Sequence, residues 1–410
     1  MVNAGPQHRS TSAGDPLRVL YVTHYPELYG ANRSMLDLML ELRGRGVVTP
    51  HVLLPRKGPL IDVLEEEGIP WAVFPFQPWM SERHYEGGPH HRLMQWLRYT
   101  RAARRRDRVD RDLMPVMTDR VRSWGIRLMH ANSSAVGIAP ELASECLIPF
   151  VWHIRELPER QYLLHLDRGR KGYGRALREA DRLIAISQAV RQDILRYTTP
   201  HRPIAVIYNG VLRRERYAVL REQAQDRWQG DGPFTLALVG LIHPSKGHLE
   251  ALEALHLLRS AGHDVRLIIA GDGRDRDVLQ RIQDLGLQDA VELPGFVSDP
   301  YVVFLRAHAL LMCSRNEAMG RVTVEAMASG LPVIGHNSGG TPELVQDGVN
   351  GLLYPGGAQA LADRILRLVN DRTLARSLGE KASRLSEERF TVEHYAEEVL
   401  KVYRSVISSR

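Results

Sequence analysis

The chain reads as an α/β protein made of two doubly wound parallel-sheet units, and three observations lead there. Its 410 residues exceed one ordinary core and fit two domains within the usual range of about 50 to 250 residues. Short apolar runs alternate with helical stretches along nearly the whole length, the pattern of a parallel sheet covered on both faces. The polar landmarks fall at the carboxyl ends of those runs, where open α/β sheets bind ligands.

Taken in order, residues 1–16 are polar and expected to be disordered. Leu17-Arg-Val-Leu-Tyr-Val-Thr23 then forms a strand. Tyr25 to Asn32 is a loop, and Arg33 to Arg45 a helix whose buried face is Met35, Leu36, Leu38, Met39, Leu40 and Leu42. Further strands of this unit are His51–Leu54, Trp71–Phe74, Leu128–His130, Phe150–Trp152, Leu183–Ile186 and Ala205–Tyr208. The polar stretch Arg213 to Gly232 is a linker with a helix in it. A second unit begins at Phe234–Val239 and continues through strands Val265–Ala270, Val291–Leu293, Ala309–Cys313, Pro332–Ile334 and Gly351–Tyr354. The stretch from Ala358 is helical by pattern. The expected division is 17–210 and 211–391, with a last helix at about 392–410 returning to brace the first unit.

Composition narrows the function classes. With 44% hydrophobic and 25% charged residues the chain has the balance of a globular protein. No window approaches the roughly 18 uninterrupted apolar residues of a spanning helix, and Met1 to Asp15 shows no apolar signal core, so a cytoplasmic location is expected. Cys146 and Cys313 each sit in an apolar run, which suits buried reduced thiols rather than a disulfide framework. The formal charge is +6, and its local excess is Arg98, Arg101, Arg104, Arg105, Arg106, Arg108 and Arg111, broken only by Asp107 and Asp110. That run reads either as a solvated helix face or as a peripheral contact with anionic headgroups at the inner membrane face. A nucleic-acid partner is not expected, because interleaved aromatics, zinc spacing and RNA-binding signatures are missing.

The most informative stretch runs from Ser314 to Glu343. It sets Glu317 and Glu325 around a glycine-containing turn between a buried strand and a helix of composition Val322 to Ser329. A strand-to-helix turn aims backbone N–H groups outward, and with the helix dipole behind them those donors favour an anion such as phosphate. Glu317 precedes the helix and Glu325 lies about one turn into it, so the carboxylates would flank a bound diphosphate and read hydroxyls.

This segment, together with Val239-Gly-Leu-Ile-His-Pro-Ser-Lys-Gly247, Ala270-Gly-Asp-Gly273, Pro294-Gly-Phe-Val297 and Asn350-Gly-Leu-Leu353, resembles the family 4 retaining glycosyltransferases of the GT-B fold. The likeness extends from Leu17 to about Tyr403. It implies two Rossmann-like domains facing across a cleft, and transfer of a sugar from a nucleotide-diphosphate donor to an acceptor hydroxyl in the making of a bacterial polysaccharide, glycolipid or glycosylated metabolite. The donor, a UDP- or GDP-sugar, would lie on the second domain. A glycan, lipid-linked or small-molecule acceptor would lie mainly on the first.

Carried over residue by residue, the resemblance assigns Glu317 to hydroxyls of the donor sugar and Glu325 to the ribose. Ala318, Met319, Gly320, Arg321 and Val322 line the donor, the last three through backbone N–H groups at its phosphates. Lys246, after Gly240, neutralises the diphosphate. Gly271, Phe296 and Val297 complete the donor site. His153, in Phe150-Val-Trp-His-Ile-Arg-Glu156, lies near the sugar and acceptor, so His153, Lys246 and Glu317 are the expected catalytic residues. Gly30 meets the donor phosphate, while Tyr29, Asn32 and Arg155 face the acceptor, with Arg155 and Glu156 forming part of the site or a local ion pair. Asn209-Gly210 resembles the element at the domain junction.

Three departures stand out. Leu241 occupies the place where relatives carry an arginine, so one cation on the diphosphate is missing unless His243 or another basic residue substitutes. Tyr29 replaces one of two glycines, and Leu212 an acidic residue. Asp110-Arg-Asp112 and Asp275-Arg-Asp277 could suggest a divalent ion, but one lies in the arginine-rich helix and the other at a helix start where acidic residues suit the dipole. No obligatory metal and no cofactor are expected. Two other classes remain open on the same scaffold: a non-catalytic nucleotide-sugar-binding subunit and a nucleotide-sugar epimerase.

Overall fold

The computed structural model describes residues 15–82, 88–228, 232–273 and 275–409. The expectation for the N-terminal stretch falls almost wholly on residues 1–14, outside the described residues. The first unit runs β1 (Leu17–Val22), α1 (Gly30–Gly44), β2 (Val48–Leu54), α2 (Pro59–Glu66), β3 (Trp71–Val73), β4 (Met80–Glu82), α3 (Pro89–Ser123), β5 (Leu128–Ala131), α4 (Ala139–Cys146), β6 (Phe150–Ile154), β7 (Leu164–Leu166), α5 (Gly169–Glu179), β8 (Arg182–Ala185), α6 (Gln188–Leu195) and β9 (Ala205–Val206). Seven of these strands form one sheet in the order β3-β2-β1-β5-β6-β8-β9, parallel throughout. Alternate residues of β1 serve the two faces. Val19 and Tyr21 pack with Met35, Leu38 and Leu42 of α1, and Leu20 and Val22 pack with Met129, Trp152 and Leu183 on the other side. A strand covered on both sides must be apolar at consecutive positions, which is why these runs are visible in the sequence.

After α7 (Arg214–Gln223) the second unit follows: β10 (Phe234–Val239), α8 (His248–Ser260), β11 (Val265–Ala270), α9 (Arg276–Asp284), β12 (Val291–Gly295), α10 (Tyr301–Phe304), β13 (Ala309–Met312), α11 (Arg321–Ala328), β14 (Val333–His336), α12 (Thr341–Leu344), β15 (Gly351–Tyr354), α13 (Ala358–Asn370), α14 (Arg372–Arg389) and α15 (Val392–Ile407). Its sheet, ordered β12-β11-β10-β13-β14-β15, is also parallel. The expected α/β class with two doubly wound sheets is therefore the architecture found.

Two local features differ from the sequence reading. Helix α1 begins at Gly30, so Gly30, Ala31 and Asn32 are its first turn rather than loop. Strands β4 and β7 pair antiparallel in a small separate sheet, Met80 opposite Leu166, three residues each and too short to show a period. Among the described residues no helix is long and apolar enough to cross a membrane.

Helix α15 returns to the first unit. Thr391 caps it by accepting from the His394 amide at 3.2 Å, and Tyr395, Val399, Val402, Tyr403 and Val406 are buried against α1 and the first sheet. Each such apolar side chain contributes about 1.5–3 kcal/mol on burial. Where the chain passes between the units its two crossings lie side by side: Val211 donates to the Phe390 carbonyl at 3.0 Å and Val392 to that of Leu212 at 3.1 Å. A Cβ on Gly210 would stand 2.6 Å from the Thr391 carbonyl oxygen. Only glycine allows that approach.

Candidate active site

The carboxyl ends of both sheets face one cavity of about 520 Å³, within the usual range of roughly 300–1,000 Å³ for small-molecule sites. At its centre Lys246, on the turn after β10, meets Glu317, on the loop between β13 and α11. Lys246 Nζ lies 2.7 Å from Glu317 Oε2, and Gln161 of the first unit donates to Oε1 at 3.1 Å. Burial alone would push the Glu317 carboxyl up, but the charge of Lys246, with hydrogen bonds from Lys246, Ser314 and Gln161, outweighs it and holds the carboxyl below its ordinary value. Burial likewise disfavours the charged lysine, and the adjoining Glu317 overcomes that and raises Lys246 above the usual lysine value. The pair is ionised at neutral pH.

The turn into α11 has the expected form. Gly320 has φ +85°, and a Cβ there would stand 2.9 Å from Thr323 Oγ1, so glycine is needed both for the backbone and for the space. Gly320, Arg321 and Val322 all line the cavity, as do Ala318, Met319 and Glu325, so the helix start opens onto it. Gly240, Gly271, Phe296 and Val297 line the same wall, with Phe296 65% exposed at the mouth. Leu241 also faces the cavity, 41% exposed. His243 is turned to its own loop, its Nδ1 2.8 Å from Ser245 Oγ. The cationic side chains lining the cavity besides Lys246 are Arg33, Arg155 and Arg321, and each is already held. Arg33 donates to the Ser298 carbonyl at 2.6 Å. Arg321 spans Glu325 and, across the units, Asp37 of α1, each at 2.8 Å.

On the first unit's side Tyr29, Gly30 and Arg155 line the cavity. A Cβ on Gly30 would meet nothing within 4 Å, so backbone there lies open to a ligand. Asn32 and His153 are not brought to the wall. Asn32 is fully buried, accepting from Thr23 Oγ1 at 2.7 Å and donating to the carbonyls of Tyr25 and Glu27 at 2.8 Å each, so it fixes the turn behind Tyr29. His153 is fully buried within the sheet, its Nδ1 3.2 Å from Arg155 Nη2. Burial, helped by the charges of Arg155 and His130, drives its pKa well down, so it is neutral and supports Arg155 from behind. Arg155 also donates to Asn132, Asn209 and Tyr395 of α15. It forms no side-chain ion pair with Glu156, whose Oε2 instead accepts from Ser134 Oγ at 2.8 Å and from backbone amides.

Sequence reasoning missed four contributors. His24 directly follows β1 and lines the cavity; the rule that ligands gather at strand ends would have found it. Burial lowers its pKa despite Glu156 and Glu27 nearby. Tyr162 and Gln161 come from a loop with no motif. Glu343 accepts from the Ala189 and Gln188 amides at the start of α6, both 2.7 Å, and from Tyr208 Oη at 2.7 Å, so it fastens the second unit to the first. Among the described residues no group of three or more His, Cys, Asp or Glu side chains is gathered to hold a metal ion. Asp110 is buried and accepts from the Gln77 amide, while Asp277 lies in the first turn of α9.

Comparison with known proteins agrees with this geometry. Residues 221–385 match the family described as "Glycosyl transferases group 1", and residues 29–210 match the "Glycosyl transferase 4-like domain". An uncharacterized glycosyltransferase of Methanocaldococcus jannaschii is 30% identical over 295 residues, 70% of this chain and 77% of that protein. Alpha-D-kanosaminyltransferase of Streptomyces kanamyceticus is 28% identical over 190 residues, 45% of this chain. The match to that relative spans 49% of its length, and the matches to two further curated relatives span 61% and 60%. Among solved structures, Anabaena HepE in complex with UDP and glucose superposes with a TM-score of 0.71 at 23% identity, covering 95% of this chain and 100% of that one.

Proposed function

Because the chain belongs to the GT-B glycosyltransferases, joining a 4-like domain to a group 1 domain, we propose that it moves a sugar from a nucleoside-diphosphate donor to an acceptor hydroxyl with retained anomeric configuration. The observation that carries this reading is the ionised Lys246–Glu317 pair, 2.7 Å apart, beside the glycine turn and the first amides of α11. Departure of a nucleoside diphosphate leaves negative charge on its phosphates. Lys246 and the amides of Gly320 to Val322 stabilise that charge, the electrostatic contribution that usually dominates such catalysis. Glu317, once the donor arrives, accepts from hydroxyls of the sugar, and Glu325 accepts from the ribose. Residues 211–391 take the donor and 17–210 the acceptor, with Tyr29 and Arg155 on the acceptor side. The acceptor hydroxyl attacks on the face that the diphosphate leaves, giving its proton to a phosphate oxygen, with no metal required.

The acceptor is a glycan, a lipid-linked saccharide or a small molecule, and the protein works in the cytoplasm. Helix α3 favours a peripheral place at the membrane: Leu93 and Met94 are exposed on the same arc as Arg98, Arg101, Arg104, Arg105 and Arg108, with Trp96 at its edge. Incubation with a panel of UDP- and GDP-sugars, monitored for released nucleotide, tests the reading. Slow donor hydrolysis supports a transferase, appearance of a new sugar indicates an epimerase, and binding without turnover indicates a non-catalytic subunit, which the exposed Leu241 would suit. In a transferase, Glu317→Ala and Lys246→Ala cut transfer by orders of magnitude, and near-normal turnover in both sinks the assignment.

A further inference from the structure

Arg321 is poised to do more than lend its amide to the helix start. Its guanidinium spends four contacts in three directions: Nε to Glu325 Oε1 at 2.8 Å, Nη1 to Ser34 Oγ at 3.0 Å and Asp37 Oδ2 at 2.8 Å, and Nη2 to the Val211 carbonyl at 3.2 Å. Ser34 and Asp37 belong to α1 of the first unit, Val211 to the crossing between units, and Glu325 to α11 of the second. The Arg321 side chain is 14% exposed and that of Glu325 5%. An Arg–Glu pair at i and i+4 is ordinary on a helix surface. A buried one whose other edge is anchored on a different domain is not.

We propose that Arg321, held by Asp37 and Ser34, is a positioning residue that orients Glu325 for the donor's ribose, so that the nucleotide subsite is complete only when the first unit closes on it. This rests on the donor reading above. Arg321 occupies one oxygen of Glu325, and among the described residues Oε2 takes no hydrogen bond, which leaves it to accept from the vicinal ribose hydroxyls. A planar guanidinium fixes both its partners at once, which a lysine cannot do. The charges explain why two carboxylates are needed. Arg321 is neutralised by Asp37 and Glu325 together, so it is not a free cation for the diphosphate and does not replace the one missing at Leu241. Burial raises the Asp37 carboxyl and Arg321 counters that, so the carboxylate depends on the guanidinium to stay charged. One turn earlier on α1, Arg33 grips Ser298, next to Phe296 and Val297. Helix α1 thus holds the nucleotide end of the second unit at two points, and affinity for ribose becomes coupled to closure.

The test is the ratio of affinities for a ribonucleotide and its 2′-deoxy counterpart, measured by calorimetry on the full chain with UDP against dUDP and GDP against dGDP. The wild type is expected to prefer one ribonucleotide over its deoxy form by about tenfold or more, the size of a lost hydrogen bond to a charged group. Asp37→Asn and Arg321→Lys bring that ratio below about threefold by weakening ribonucleotide binding more than that of the deoxynucleotide, which offers Glu325 only its 3′ hydroxyl. Ser34→Ala, the mildest change, lowers it part of the way, and Asp37→Glu restores it in part. A ratio unchanged in Asp37→Asn and Ser34→Ala overturns the proposal, as does an equal loss for both nucleotides, which is what a merely structural strut would give. Binding of neither UDP nor GDP by the wild type overturns the donor reading itself, and this proposal with it.

Discussion

Replacing Lys246 with methionine keeps the apolar stem of the side chain and removes its charge. What remains is a Glu317 carboxylate with a side chain 10% exposed and only neutral donors around it. Removing one partner of a buried ion pair typically costs about 3–5 kcal/mol, and because the lysine side chain is 19% exposed, we expect about 3 kcal/mol. In a unit of this size 1 kcal/mol moves the midpoint by about 2–4 °C, so the thermal transition of the second unit should fall by about 6–12 °C at pH 8. Glu317→Gln should cost less, and in the double variant the two losses should not add; a coupling of about 2 kcal/mol is expected. The dependence on pH gives an independent check. In the wild type the Glu317 pKa is depressed by Lys246, so its contribution is present above the unfolded value of about 4.3 and is lost as pH falls through the lower folded value. In Lys246→Met only the hydrogen bonds from Ser314 and Gln161 still oppose burial, so the folded pKa is expected to rise. The penalty of the buried charge is then relieved as pH falls through the raised value, and the gap between variant and wild type narrows from pH 8 to pH 4.5. Differential scanning calorimetry at those two pH values measures both effects. A fall of less than about 2 °C at pH 8, or a gap that is constant with pH, would refute the reasoning.

Other perturbations reach different links in the argument. Gly320→Ala forces a side chain into a left-handed backbone at a cost of about 1–2 kcal/mol and brings a methyl group against Thr323 Oγ1; nucleotide affinity should drop about tenfold by calorimetry, and an unchanged Kd would mean that this turn does not approach the ligand. Glu343→Ala removes three accepted hydrogen bonds between the units, so the Gln188 and Ala189 amides should exchange with solvent markedly faster and the solution radius of gyration should increase; equal protection in the variant would count against this contact as a fastening. Cys313 is buried beneath the site and its thiol is pushed up to about 12, so iodoacetamide at pH 8 should leave it unmodified until the protein unfolds. Rapid native labelling at Cys313 would disprove that burial.

Both sheets were legible in the sequence because parallel strands buried on two faces must be apolar without interruption, as in Leu236, Ala237 and Leu238 or Leu310, Leu311 and Met312. This stretch of the cavity wall was legible because its parts are local: Gly320, Arg321 and Glu325 lie within six residues of one another. His153 was not, since whether a strand-end histidine reaches the cavity or is roofed over depends on register and on a distant helix. It pairs with Ile184 across β6 and β8 and shares Arg155 with Tyr395 of α15, while Arg155, two residues on, does reach the cavity. Asn32 misled for a related reason, because a polar side chain at the start of a helix serves the backbone of the preceding turn, here the Tyr25 and Glu27 carbonyls, as readily as a ligand. Asp37 carried no signal at all. An acidic residue on a helix acquires its meaning only from Arg321, which is 284 positions away.

The return of α15 to the first unit also governs the order in which the protein can be made. In chain order every strand of both sheets precedes Tyr395, so the apolar surface made by Val19 and Tyr21 of the first sheet with Met35 and Leu38 of α1 leaves the ribosome without the cover that α15 supplies, and waits while the whole of the second sheet is synthesised. Topologically the second unit is an insertion between β9 and α15 of the first. It can fold while the earlier unit is still unfinished. The uncovered apolar face is the natural substrate for a chaperone during that interval, and a nascent chain stalled before residue 392 would hold a finished second unit attached to a first unit that cannot yet close its core.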